Sequence, residues 1–222
     1  FERGRDVRSI ETYERRLRLD PRSPRVSYKL ALAQYRAGDV EGAMATLGDV
    51  VLTDNRSAEV NYLMGLCLRD LERPRDAVET FERAVTLSPG MIPAREELAS
   101  LYESLGQHTK QLEQLQVLAA LDSAHVHRQV AVGVAHARSG HPEAAAVTLA
   151  NALERAPTDP LIHQERGRVW LDVAVAHADS EALRKALDAL AHVGAGPAAS
   201  SAALTLYGRA LALNGELDAA QR

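Results

Sequence analysis

Three glycines and one glutamate set the frame of this sequence. Gly38 and Gly106 lie twice 34 residues apart, Gly106 and Gly140 lie 34 apart, and Glu72 stands at the same phase between them. A 34-residue period divides the chain into units starting at 24, 58, 92, 126 and 160. A period in the range of about 20–50 residues marks stacked supersecondary units rather than one globular core. The unit at 58 is the clearest, with Gly65 its eighth residue, Ala77 its twentieth, Phe81 its twenty-fourth, Ala84 its twenty-seventh and Pro89 its thirty-second.

Physical chemistry accounts for that pattern. Each unit spaces its apolar residues at i, i+3, i+4 and i+7, the period of an amphipathic helix. Leu63, Gly65, Leu66 and Leu68 mark a first helix, and Ala77, Val78, Phe81, Ala84 and Val85 a second. Small residues at the eighth and twentieth positions let two helix backbones approach, and a large residue at the twenty-fourth fills the space beside the contact. Proline at the thirty-second ends the second helix, because it has no N–H and disfavours helical geometry in the residue before it. One such pair cannot bury both its faces, so units stack. Composition agrees: the chain has 38 alanines and only nine aromatic residues. Alanine is the best helix former, and sheets want aromatic and β-branched faces.

The unit at 58 resembles the tetratricopeptide repeat, which is small at 8 and 20, large at 24, small at 27 and proline at 32. The other units read in the same frame. Leu30, Ala31, Gly38, Ala43, Leu47 and Val50 fall in the first; Leu98, Ala99, Tyr102, Gly106 and Leu115 in the third; Val132, Gly133, Gly140, Ala145, Leu149, Ala152 and Pro157 in the fourth. Two positions depart from the pattern. Gln111 stands where a small residue is expected, and the family's tryptophan at the fourth position is replaced throughout, by Asn61 and His163 among others.

The resemblance implies an all-α, right-handed superhelical solenoid of antiparallel helix pairs. It spans 1–222 as repeats at about 1–23 (a second helix only), 24–57, 58–91, 92–125, 126–159, 160–200 and 201–222 (partial). The register slips once. The fifth unit lacks a turn glycine, its second helix at about 180–193 is displaced by two or three residues, and the next start comes 41 residues on rather than 34.

Nothing in the sequence points to catalysis or to a cofactor. There is no phosphate-cradling GxxxxGK[ST] and no HExxH. His125, His127, His136 and His141 gather without the carboxylate or thiol partners that a tetrahedral metal site needs, and His136 is expected to be hydrogen-bonded at a helix-packing position. Glu96 and Glu97 are neighbours on a helix and diverge by about 100°. Cys67, the sole cysteine, lies in an apolar run and reads as a buried, inert thiol. A net charge of −4 gives no pull toward nucleic acid, although residues 1–36 carry +5. No stretch approaches the ~20 apolar residues of a membrane span. The excess of Arg over Lys fits a GC-rich bacterial genome, and cytoplasm and periplasm are both compatible with the sequence.

The function the resemblance implies is a non-catalytic scaffold that binds a peptide or helical segment of a partner in a groove lined by the first helices. Positions 2, 5, 6, 9, 12 and 13 carried over from the family place Tyr28, Lys29, Leu32 and Tyr35 at its start. Tyr62, Leu63, Leu66 and Arg69 follow, then Glu96, Glu97 and Glu103, and finally Val130, Val134 and Arg138. Such a groove, apolar and tyrosine-bearing and then acidic, suits an amphipathic helix with basic residues. The positions at which some relatives clamp a chaperone-tail carboxylate hold Tyr28, Leu32, Leu63, Pro93 and Glu97, none of which matches. Two other readings of the sequence are a module that stacks head to tail into a homo-oligomer, and the regulatory or targeting arm of a larger enzyme.

Overall fold

The computed structural model describes residues 3–53, 56–195 and 199–215. The side chains of residues 3–7, 52 and 53 are not among those described. The last part of the partial repeat expected at 201–222 lies outside the described residues. Among the described residues every regular element is an α-helix. The chain forms two compact units, 1–105 and 106–222.

The first unit holds α1 (Arg3–Leu19), α2 (Pro24–Ala37), α3 (Val40–Thr53), α4 (Ala58–Asp70), α5 (Pro74–Leu87) and α6 (Ile92–Ser104). Each helix packs on the next, and α2 also touches α4, so successive first helices are neighbours. Ala31, Ala43, Leu47, Val50, Val60, Leu63 and Cys67 form one buried cluster. Leu68, Ala77, Phe81, Ala84, Ala94, Leu98 and Tyr102 belong to the next.

The second unit holds α7 (His108–Leu121), α8 (Val126–Arg138), α9 (Pro142–Arg155), α10 (Pro160–His177), α11 (Ser180–Gly194) and α12 (Ser201–Leu213). Again each packs on the next, and the first helices α8, α10 and α12 touch in series. Three buried clusters follow the chain from α7 to α12.

The sequence sets these boundaries locally. Pro24, Pro74, Pro142 and Pro160 open helices, where a missing N–H costs nothing and the fixed φ is already helical. Ser57, Asp159, Asp179 and Ser200 cap helix N-termini with a side-chain oxygen on a free backbone N–H. At the turn that follows the first helix the backbone swings into the left-handed region: Gly38 at φ 91°, Glu72 at 57°, Gly106 at 69° and Gly140 at 81°. The phase shared by these four residues is therefore a shared conformation, and Glu72 adopts it despite its side chain.

The close approach of paired helices is visible at Gly65. A Cβ added there would lie 2.6 Å from Phe81 Cε1, so the eighth position must be bare for the twenty-fourth to be large. Gly133 stands in the same relation to Leu149 Cγ, at 2.8 Å.

The slipped register is larger than expected. The second helices α3, α5, α7 and α9 start 34 residues apart, at 40, 74, 108 and 142, whereas α11 starts at 180, four residues late rather than two or three. Ala174, at the phase of the turn glycines, lies buried inside α10. The turn is made by Ala178, at φ 52°. The added residues are one extra turn of α10.

Candidate functional site

In the first unit the residues expected to line the groove, Leu63 excepted, are half-buried or exposed on the first helices α2, α4 and α6. Tyr28, Leu32, Tyr35 and Leu66 are half-buried and rest on the cluster of Ala31, Leu47 and Leu63. Tyr62 rests on the following cluster, its ring 5.8 Å from that of Phe81 and tilted by 50°. Each of these five side chains is anchored on one side and open on the other. Lys29 is half-buried on α2, and Glu96 and Glu103 are exposed on α6.

Two residues of the expected set are elsewhere. Leu63 is 1% exposed and Val130 3% exposed, and both belong to buried clusters. Leu63 lies on the stripe of Val60 and Cys67, three residues before and four after it, and that stripe faces inward. Neither side chain offers surface to a partner. In the second unit Val134 is half-buried against the cluster of Val130, Leu149 and Ile162. Arg138 lines a cleft of about 300 Å³ between the end of α8 and α10, with Arg168, Asp172, Val173 and His177.

A polar network ties the three first helices of the first unit together. Arg69, on α4, donates from Nη1 to Glu97 Oε1 on α6 at 2.6 Å. Its Nε donates to Asp70 Oδ1 at 2.9 Å, and its Nη2 lies 2.8 Å from the same oxygen. The same Nη2 reaches Tyr35 Oη on α2 at 3.3 Å, and Tyr35 Oη donates to Asp70 Oδ2 at 2.8 Å. Sequence position marked Arg69 and Glu97 as facing a ligand. It did not show that they face each other, because a 28-residue separation reveals a contact only once the helices are packed.

The electrostatics follow from this packing. Burial pushes the Tyr35 hydroxyl up to about 12, and donation to the Asp70 carboxylate adds to it. Burial alone would lower Arg69, but its hydrogen bonds to Glu97 and Asp70 outweigh that and hold it more firmly protonated than usual. Tyr62 is raised by burial and then by the Glu97 charge. Tyr28 is raised by burial and then by Glu59. Tyr28, Tyr35 and Tyr62 therefore stay neutral donors throughout the physiological range. The Cys67 thiol, fully buried beneath this face, is raised to about 11 by burial and by Asp70. A thiol so protonated is a poor nucleophile.

The histidines do not converge. His125 Nδ1 meets Asp122 at 2.8 Å, while His127 Nε2 meets Asp159 at 2.8 Å. His136 is half-buried, as its position suggests, but its Nδ1 is buried without a hydrogen-bond partner. Its ring stands edge-on to His141 at 6.4 Å instead. Among the described residues no three His, Cys, Asp or Glu side chains come together as metal ligands. In two units the family's tryptophan position holds a buried polar side chain: Asn61 Nδ2 donates to Ser57 O at 2.8 Å, and His163 Nε2 lies 2.8 Å from Pro157 O.

Two family patterns match the chain. One, described as tetratricopeptide repeat, matches residues 62–125. The other, described as anaphase-promoting complex, cyclosome, subunit 3, matches residues 8–84. The chain has the helical-repeat fold of the tetratricopeptide type. Among solved structures, these tetratricopeptide-type repeats are similar to YrrB, described as a TPR protein with an unusual peptide-binding site. That likeness has 19% identity over 81% of this chain and 93% of that one, with a TM-score of 0.65. MamA is similar at 24% identity over 68% of this chain and 82% of its own, with a TM-score of 0.60. A tetratricopeptide repeat protein from Parabacteroides merdae ATCC 43184 is similar at 13% identity over 98% of this chain and 83% of that one, with a TM-score of 0.59. Identities this low establish a shared fold. No curated protein matches in sequence. Among the described residues, no helix is long and apolar enough to cross a membrane.

Proposed function

We propose that this protein is a non-catalytic interaction scaffold that binds an amphipathic helix of a partner protein on the face of α2, α4 and α6. The observation that carries the reading is the strip of Tyr28, Leu32, Tyr62 and Leu66, half-buried on core clusters yet open outward, beside a row of carboxylates on α6. Tyrosines anchored in this way give contact area at low entropic cost, since little side-chain freedom remains to be lost on binding. Glu96, Glu97 and Glu103 on α6 favour basic residues along one edge of the partner helix. Leu63 supports this face from the core of the first unit; within the second unit, Val134 and Arg138 on α8 are proposed as contact residues of their own, with Val130 in the core behind Val134. Of the known structures with this fold, YrrB is described as having a peptide-binding site, which accords with this use of the architecture.

The test is to replace Tyr28, Tyr62 and Leu66 together by Ala and titrate with a basic amphipathic peptide. Loss of anchors of this kind is expected to weaken binding by about 30-fold or more, on the order of 2 kcal/mol. The far-ultraviolet helical signal should be retained. Unchanged affinity overturns the reading.

A further inference from the structure

Arg69 sits between carboxylates of α4 and α6. Its guanidinium bridges Glu97 on one helix and Asp70 on its own, with the Tyr35 hydroxyl as a further contact. The side chains of Arg69 and Glu97 are 34% and 23% exposed, so the bridge is within reach of an incoming group. Two carboxylates brought this close repel each other, and Arg69 offsets that repulsion in the unliganded chain. Glu96 and Glu103 add further negative charge along α6. We infer that Arg69 is a built-in surrogate for a partner's lysine or arginine, occupying Glu97 and Asp70 until that cation displaces it. It thereby sets both the affinity and the charge selectivity of the face. This inference rests on the proposed function above and names the residue that tunes it.

A plain structural brace makes a different prediction. If Arg69 only ties α2, α4 and α6 in register, its loss lowers stability and weakens binding together. If it is a surrogate cation, its loss lowers stability but leaves the two carboxylates uncompensated, and affinity for an external cation rises. Stability and function then move in opposite directions, as they do where a binding site is kept strained.

The experiment is calorimetric titration of the full chain with two synthetic amphipathic helices of Leu and Ala, one with Lys on its polar face and one with Glu. The variants are Arg69→Gln, Glu97→Gln and Arg184→Gln, the last an exposed arginine on α11 paired with Glu181. Arg69→Gln is expected to bind the Lys peptide about tenfold tighter than the unaltered chain, to melt at a lower temperature, and to show no gain for the Glu peptide. Glu97→Gln is expected to weaken the Lys peptide. Arg184→Gln, with the same change in net charge, is expected to leave both affinities unaltered. If Arg69→Gln does not fold, Arg69→Lys keeps the charge on a head that cannot fork between two carboxylates, and a smaller gain is expected. Binding by the unaltered chain that these Arg69 variants leave equal or weaker overturns the surrogate role and leaves the proposed function standing. An equal gain in Arg184→Gln also overturns it, as a net-charge effect. No binding of the Lys peptide by the unaltered chain or by Arg69→Gln overturns the proposed function and this inference with it.

Discussion

Glu72 shows what a single position in the repeat demands. It sits at φ 57°, a conformation that costs an L-residue with a Cβ roughly 1–2 kcal/mol. The other turns at this phase use glycine. Its backbone N–H is bonded to Arg69 O at 3.0 Å and that of Arg73 to Leu68 O at 2.9 Å, so the helix end is closed in the same way as at Gly38. Glu72→Gly is therefore expected to stabilise the chain, by about 0.5–1 kcal/mol once the greater freedom of glycine in the unfolded state is deducted. A higher urea midpoint at unchanged slope would show it. The phase of Glu72 was legible in the sequence; its left-handed backbone was not, since glutamate carries no such preference. Leu63 and Val130 teach the converse. Their positions in the repeat put them on the groove, but their neighbours at helical spacing put them in the core. Packing decided, because an apolar stripe wide enough to bury leaves no room for those side chains on the open face.

At the scale of the element, the helix pair is specified by volume. Gly65 and Phe81 are one such choice, and the ring is fully buried. Gly65→Ala gains up to ~1 kcal/mol of helix propensity but forces a methyl to within 2.6 Å of the ring. Overpacking of this kind costs about 1–3 kcal/mol. The expected result is net destabilisation with helix content retained, read from a lowered urea midpoint. Helix existence, pairing and turns were all readable from the 34-residue period, because each is a local pattern. The extent of the slip in the fifth unit was not. The sequence suggested two or three residues, whereas α11 starts four late. One turn of α-helix takes 3.6 residues, so about four can be added to α10 without rotating its apolar face away from the core, and two or three cannot.

For the molecule as a whole, the helix-pair architecture and the residues of the proposed face were readable from the sequence, but not the polar network that joins some of them. The tyrosines were legible as anchors because they recur at first-helix positions in a chain with few aromatic residues. The Arg69–Glu97–Asp70–Tyr35 network depends on three helices meeting, and a spacing rule for single helices does not contain it. The central claim is that the face of α2, α4 and α6 is where a partner helix docks. The most direct measurement is a backbone amide chemical-shift titration of the full chain with the Lys-faced amphipathic peptide. Saturable perturbations are expected, concentrated on α2, α4 and α6, around Tyr28, Leu32, Tyr62, Leu66 and Glu97. Perturbations concentrated instead on the second helices α3 and α5, or none at saturating peptide, would contradict it.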